Sequence, residues 1–299
     1  MGQPLVYIII LNYNGYKDTI ECVNSIEKIT YSNYKIVIVD NASKDSSAEI
    51  LKKNFDKHVI IQAESNRGFA AGNNIGIKYA IDNGAEYVLL INNDTVVEKD
   101  FLMNLVKNID VNKKVGMLTG KIYYYAEPKR IWFAGGGINE LKGNAYHVGM
   151  NEIDVGEKYS CKQQIKFASG CFQLISKELI NNVGYMNEKY FMYYEDTDYC
   201  YRIINSGYKI LYEPNSVIYH KVSSSTGGCK SFFTQFYMTR NRLIFINKYM
   251  NGIYKYTSLV WFYLTFFIKI FDRRQNNSAC IKGISEYYKI KSTIFDNIE

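Results

Sequence analysis

Four short segments hold residue types that could carry chemistry. The first is Asn92-Asn93-Asp94, which closes the apolar run Tyr87 to Ile91. A carboxylate in a turn at a strand's C-terminal tip can hold Mg2+ or Mn2+, with waters and phosphate oxygens completing the shell. Such an ion offsets charge growing on a departing diphosphate. The plainer alternative is an Asn/Asp β-turn whose Asp94 caps the next helix. The second segment is Glu195-Asp196-Thr197-Asp198, three acids opening a predicted helix, where the dipole favours anions. An ionised carboxylate there can take a proton from an attacking hydroxyl, and Phe191 to Tyr194 put an aromatic wall beside it. Ordinary helix capping is the competing explanation. The third is His220, at the end of the predicted strand Val217-Ile218-Tyr219, placed as a ligand or as a half-buried structural histidine. The fourth runs from Glu64 to Asn73. Its Arg67 offers a planar fork of donors to phosphate or base, and Gly68 and Gly72 permit close backbone approach. It is neither a Walker A loop nor a G-x-G-x-x-G fingerprint, and a helix-initiating loop with a solvated arginine would look the same.

The elements that must position these groups follow from hydrophobic pattern. Leu5 to Leu11 is a continuous apolar run, as expected of a strand buried on both faces. Asn12 to Gly15 is turn chemistry, and residues 17–29 carry Ile20, Val23, Ile26 and Ile29 at helical spacing. Lys35–Val39 predicts a second strand ending at Asp40, Ser46–Phe55 a helix and Val59–Ile61 a third strand. A helix to about Ile81, the strand Tyr87–Ile91 and a helix over 99–109 complete the first half. Repeated β-α-β units imply a parallel sheet with helices on both faces, whose ligands sit at the strands' carboxyl ends. The polar clusters 12–15, 40–43 and 92–95 each follow a strand and should gather on one edge. Beyond Tyr123 the pattern loosens. Residues 123–163, with Gly135-Gly136-Gly137, read as a flexible insertion, and Ile165–Ile175 as a strand around Ser169-Gly170. Glu195–Ser206 predicts a helix capped by Gly207, and Lys209–Leu211 and Val217–Tyr219 predict short strands. The Ser/Gly-rich stretch 221–230 reads as mobile, and everything from Phe232 onward as helical.

The whole chain is long and apolar enough for one large core, at 299 residues and 47% hydrophobic. Its net charge of +7 is concentrated at the end, where residues 231–299 carry ten Lys/Arg against four Asp/Glu. The division expected is a main domain over 1–230, with a nucleotide-binding half to about 120 and an acceptor half over 121–230. A basic, aromatic helical segment over 231–299 follows. That segment suggests an anionic membrane surface, and no nucleic-acid reader motif is present. Leu259–Ile268, flanked by Lys255, Lys269, Arg273 and Arg274, is shorter than the ~20 residues of a membrane span. A helix lying on the surface with Trp261, Tyr263 and Phe266 at the headgroups fits, as does a helix packed in the core or against a second copy. The six cysteines form no C-x-x-C pair, so a structural zinc site is not expected. Reduced thiols and a cytoplasmic setting, peripheral at the inner face of the cell membrane, are the expectation.

Together these segments resemble the family 2 glycosyltransferases of the GT-A fold, nearest to their rhamnosyltransferase-like branch. The likeness runs in order over about Tyr7 to Tyr249. It rests on Ile10 to Gly15, Val39 to Ser43, Asn66 to Asn74, Asn92 to Thr95, Ser169-Gly170, Tyr194 to Arg202 and Arg240-Asn241. The resemblance implies an α/β fold with a Rossmann-like, mostly parallel sheet flanked by helices and a small helical C-terminal segment. It implies that Asn12 and Asp40 hold base and ribose, and that Arg67 approaches the base or diphosphate. Leu11, Asn14, Asn66, Gly68, Asn73, Asn92 and Asn93 are expected along the same nucleotide sugar. Asp94 matches the last, metal-binding acid of the D-x-D motif, and His220 the histidine that some members place on the Mg2+ or Mn2+. Asp196 matches the catalytic base, and Gly170 and Glu195 would lie at the donor sugar or acceptor. One departure is that Asn92 replaces the first acid of D-x-D, which leaves the metal on Asp94, His220 and the diphosphate.

The implied reaction is inverting transfer from a dTDP- or UDP-linked sugar to a saccharide or lipid-linked saccharide, as in cell-surface polysaccharide synthesis. A sugar nucleotidyltransferase would need a Gly-rich triphosphate loop after the first strand, which Asn12 to Gly15 is not. A non-catalytic, nucleotide-sugar-binding subunit of the same fold is the alternative, opposed by Asp94, Asp196 and His220.

Overall fold

The computed structural model describes residues 2–109, 114–222, 228, 230–270 and 276–295. The Ser/Gly-rich residues 223–227, Cys229, Arg273, Arg274 and the side chain of Lys269 lie outside the described residues. The first half runs β1 (Val6–Asn12), α1 (Tyr16–Ile26), β2 (Tyr34–Asp40), α2 (Ser47–Asn54), β3 (Val59–Gln62), α3 (Phe69–Asp82), β4 (Tyr87–Asn92), β5 (Thr95–Val97) and α4 (Phe101–Val106). It is followed by β6 (Val115–Tyr124), β7 (Glu127–Phe133), β8 (Gly136–Asn139), β9 (Asn144–His147), β10 (Gln163–Ile165), β11 (Phe172–Ser176) and α5 (Lys177–Val183). The rest is α6 (Glu195–Asn205), β12 (Lys209–His220), α7 (Phe232–Tyr249), α8 (Gly252–Ile270) and α9 (Asn277–Phe295).

The central sheet has the order β10-β12-β6-β11-β4-β1-β2-β3. Strands β1 to β4 are mutually parallel, so the sheet alternates with covering helices as the β-α-β pattern predicts. Val6 to Ile10 of β1 are fully buried, in keeping with an unbroken apolar strand at the sheet's centre. Helix α3 lies directly on this strand. A Cβ on Gly72 would stand 2.4 Å from Leu11 Cδ1, and one on Gly76 2.4 Å from Ile9 Cγ2. The register puts Asn12 opposite Asp40 and Leu11 opposite Asn92, so the three polar tips reach one level on one edge.

The second half departs from simple repetition. Strand β11 runs antiparallel between β4 and β6, while β12 runs parallel to β6. The short β5 pairs antiparallel with the end of β12, setting Thr95 opposite His220. Helix α7 sends Leu243, Ile244, Phe245 and Ile246 into the same core, all fully buried.

Several expectations need correction. The residues after Asp94 form β5, so Asp94 does not cap a helix. Residues 123–163 are not a loose insertion, because Gly136 and Gly137 are buried in the β8–β9 hairpin. The tip of that hairpin is pinned to the turn that enters α6 and to α7 and α8. Tyr194 Oη donates to Gly143 O at 3.4 Å, Arg242 Nη2 donates to Lys142 O at 2.6 Å, and Lys142 Nζ sits 4.5 Å from the centre of the Trp261 ring. The strand expected over Ile165–Ile175 is two strands split by a loop around Ser169-Gly170. The two short strands expected near 210 and 218 are one strand, β12, with an irregularity between Glu213 and Val217.

Candidate active site

The strand tips of β1 and β2 are locked to each other. Asn12 Nδ2 donates to Asp40 Oδ1 at 2.8 Å, and Ser43 donates to both Asp40 oxygens, from Oγ to Oδ1 at 2.6 Å and from its backbone N–H to Oδ2 at 3.0 Å. Thr19 Oγ1 closes the set by donating to Asn12 Oδ1 at 2.8 Å. Asn12 and Asp40 are fully buried and spent on each other, so they brace the floor of this edge. The exposed groups above them are those of the turns. Asn14 (φ +52°) and Ala42 (φ +57°) hold left-handed backbone, a conformation costly outside glycine and typical of shaped sites. The Asn14 side chain accepts from the Lys44 N–H at 2.8 Å.

The segment from Asn66 to Asn73 divides in two. Asn66 Oδ1 accepts from Asn41 Nδ2 at 3.0 Å and from the Gly68 N–H at 2.9 Å, so the loop is tied to the tip of β2. Gly68 has φ +94°, and a Cβ there would meet Phe191 O at 2.0 Å. Its freedom therefore serves a close approach of two backbone segments rather than of backbone to ligand. Asn73 turns inward, 1% exposed, and donates to Phe69 O at 3.0 Å. Arg67 is exposed and pairs with Glu188 at 2.6 Å.

At the third tip, Asn93 Nδ2 donates to Thr19 Oγ1 at 3.1 Å and to Gly15 O at 3.3 Å, joining the β4 turn to the β1 turn. The Asn92 carbonyl accepts from Thr95 Oγ1 at 2.7 Å. The β5–β12 pairing then delivers Asp94 to His220, whose Nε2 lies 3.1 Å from Asp94 Oδ1. Burial works against the imidazolium of His220, yet Cys171 and Asp94 beside it raise its pKa to about 10. Its Nδ1 is buried with no hydrogen-bond partner. Among the described residues no group of three or more His, Cys, Asp or Glu side chains is placed to hold a metal ion. The pair nonetheless fits a divalent ion. An imidazole nitrogen and a carboxylate oxygen are ordinary donors, and about 3 Å is the spacing of adjacent donors on an octahedral ion with bonds near 2.1 Å.

The acid run at the start of α6 separates by role. Asp198 is fully buried and neutralised. Arg202 Nε donates to it at 2.9 Å, Tyr249 Oη at 2.8 Å and Lys248 Nζ at 3.1 Å. Asp196 Oδ2 accepts from the Gly170 N–H at 3.1 Å, and its Oδ1 from the Thr197 N–H at 2.7 Å. Burial pushes the Asp196 carboxyl above the ordinary range, opposed by these donors, which suits a proton acceptor. Burial and the neighbouring Asp196 push the Glu195 carboxyl well above the ordinary range, and its Oε2 is buried without a hydrogen-bond partner. The chain enters α6 through Tyr193 (φ +67°) and Tyr194 (φ +71°), two consecutive left-handed residues. Asn241 of α7 holds this turn, its Nδ2 donating to Met192 O and Tyr193 O, each at 2.8 Å. The motif Arg240-Asn241 had a place in the pattern without a role; only the packing of α7 on α6 supplies one.

Asp196 opens on a cavity of about 420 Å³, within the ~300–1,000 Å³ of ligand pockets. Its walls come from β9, α6, α7 and α8, with Tyr193, Phe167 and Phe262 among the aromatic faces. Phe262 and Phe266 belong to the inner side of α8, so the C-terminal helices roof the space beside the carboxylate.

Residues 7–184 match the sequence profile of Glycosyl transferase family 2. The chain is 28% identical over 200 residues to a low-salt glycan biosynthesis hexosyltransferase of Haloferax volcanii, a match covering 65% of this chain and 60% of that protein. It is 27% identical over 231 residues to a dTDP-rhamnosyl transferase of Shigella flexneri, covering 74% of this chain and 70% of that one. The match thus spans 60–70% of these relatives' own length. Among solved structures, it resembles a mannosyltransferase from Pyrobaculum calidifontis in complex with GDP-Man and Mn2+, with a TM-score of 0.59 and 17% identity. That likeness covers 98% of this chain and 76% of the other, and it is a likeness of fold, the GT-A fold.

Proposed function

The chain belongs to glycosyl transferase family 2, and from that premise we propose that it transfers a sugar from a nucleoside diphosphate to a saccharide or lipid-linked saccharide, inverting the anomeric carbon. The observation that carries this reading is the Asp196 carboxylate, pinned by Gly170 and Thr197 against a cavity with aromatic walls. The nucleotide lies over the tips of β1, β2 and β4, held by the turns around Asn14, Ser43 and Asn93. Asp94 and His220 would hold the Mg2+ or Mn2+, which when bound would neutralise charge growing on the departing diphosphate. Asp196 takes the acceptor hydroxyl's proton. The oxygen then attacks the anomeric carbon opposite the diphosphate, and the sugar–phosphate bond's electron pair leaves with that group. A UDP- or dTDP-linked sugar is the donor proposed, in keeping with the dTDP-rhamnosyl transferase among the relatives.

The test is a thermal-shift panel of UDP-, dTDP- and GDP-sugars with Mn2+ or Mg2+, followed by release of free nucleoside diphosphate from the sugar that stabilises. Binding should raise Tm for one base class by mass action, and release should require the ion. Stabilisation without metal-dependent release, with any acceptor supplied, would support a binding subunit instead.

Helix α8 gives the proposed site a second face. Ile253, Tyr256, Val260, Leu264, Phe267 and Ile268 are all exposed and recur at helical spacing, and the surrounding 231–299 segment is basic. No helix among the described residues is long and apolar enough to cross a membrane. We read this stripe as a peripheral contact with an anionic lipid surface at the inner face of the cell membrane. Flotation with phosphatidylglycerol liposomes should carry the wild type and lose the Val260→Asp/Leu264→Asp variant. Equal flotation of both sinks that reading.

A further inference from the structure

The cavity beside Asp196 holds an imbalance that a sugar hydroxyl does not answer. Three buried polar atoms without partners, Asn144 Oδ1, Glu195 Oε2 and Arg242 Nε, belong to residues that line it. They come from β9, α6 and α7, so three separate elements leave polar atoms unsatisfied around one space. Native structures leave few such atoms, and each invites an explanation. Asn144 and Glu195 can be satisfied by hydroxyls. Arg242 is different, because it is a cation.

Arg242 forms no ion pair among the described residues. Its Nη2 is used on the Lys142 carbonyl at 2.6 Å, and its guanidinium lies 5.5 Å from the centre of the Phe262 ring. Arg202 of α6, by contrast, has the Asp198 carboxylate at 2.9 Å. Burial pulls the Arg242 pKa below the ordinary guanidinium value, but arginine keeps its charge at neutral pH. A desolvated cation with no carboxylate at ion-pair distance is costly to hold. A planar guanidinium fixed from behind by a carbonyl and a ring presents its remaining donors in the fork geometry that carboxylates and phosphates match.

We propose that Arg242 reads a negative charge on the acceptor, so that this cavity takes a sugar bearing a carboxylate or phosphate beside the hydroxyl that Asp196 deprotonates. The proposal rests on the transferase reading only for the word acceptor; the anion site itself stands on the cavity. It makes Arg242 a specificity-determining residue, reached by substrate and separate from the residues that meet the nucleotide.

The test is binding and needs no knowledge of the natural donor. Ligand-observed NMR, with UDP and Mn2+ present, would compare matched probes: methyl glucuronide against methyl glucoside, methyl galacturonide against methyl galactoside, and glucose 1-phosphate against glucose. The expected result is affinity for an acidic member at least roughly ten-fold above its neutral match. Preference for the uronides marks a carboxylate, and preference for glucose 1-phosphate marks a phosphate. Arg242→Gln should erase that preference and Arg242→Lys restore part of it. Equal binding of acidic and neutral probes by the wild type overturns the proposal without any variant, as does a preference that survives Arg242→Gln. Failure of the parent reading looks different: no nucleoside diphosphate would be released with any donor, while the acidic probes would still bind through Arg242.

Discussion

The backbone N–H of Gly170 donates to Asp196 Oδ2 at 3.1 Å, across the loop between β10 and β11. The loop thereby fixes one oxygen of the carboxylate, and Thr197 fixes the other. Asp196→Asn keeps the shape of the group and removes its basicity. Transfer should fall by roughly 10²–10⁴-fold, while the nucleotide-induced rise in Tm persists. Near-native turnover in this variant would remove Asp196 from the role of base.

The Asp94–His220 pair predicts how metal and nucleotide depend on each other. With only two protein donors, Mn2+ alone should bind weakly in calorimetry and bind well once a nucleoside diphosphate is present. At saturating ligand, about a hundred times Kd, the stabilisation is about 2.7 kcal/mol. Asp94→Asn and His220→Ala should each reduce it to the EDTA value. Tight Mn2+ binding without nucleotide would contradict the pairing of ion with diphosphate.

Asn241 predicts a positioning effect. Asn241→Ala leaves the carbonyls of Met192 and Tyr193 without their donor and relaxes the left-handed turn into α6. A loss of roughly 2–3 kcal/mol in urea unfolding is expected for a buried pair of such bonds. At a temperature where the variant is folded, kcat should drop while nucleotide affinity holds. Equal losses in both would mean general unfolding rather than misplacement of Asp196.

Glu195 gives a pH signature. Its folded pKa is raised well above the ordinary 4.5 by burial and Asp196, so the folded state holds a proton that the unfolded state releases. The contribution to stability is therefore full below about pH 4.5 and is lost as pH rises toward the folded pKa. The slope is at most about 1.4 kcal/mol per pH unit. Glu195→Gln should flatten the Tm–pH curve of the wild type above pH 5. Parallel curves for the two proteins would place the proton elsewhere.

What could be read in advance follows from where the physics is local. The apolar run of β1 and the polar tips at Asn12, Asp40 and Asn92 announce a polar edge on a parallel sheet because each strand is buried on both faces. Strand β6 was illegible for the opposite reason. Thr119, Gly120 and Lys121 interrupt its apolar pattern, and only the structure shows Lys121 buried against Asp154 at 2.6 Å. The triple glycine near 136 signals looseness in isolation, yet Arg242 of α7 and Trp261 of α8 hold its hairpin from far along the chain. For the same reason Arg242 carried no signal, since its significance lies in having no carboxylate at ion-pair distance among the described residues.

The antiparallel contact of β5 with β12 has a consequence for the order of synthesis. A growing chain can lay down β1 to β4 and their helices from its first hundred residues, and with them the floor of polar strand tips. Asp94 then waits for the ribosome to reach His220, and the roof over Asp196 waits longer still, for α7 and α8. No fragment ending before residue 220 contains both members of the pair. On the proposed reading, a truncated product would offer a nucleotide a surface but lack the partners needed to spend the nucleotide's sugar.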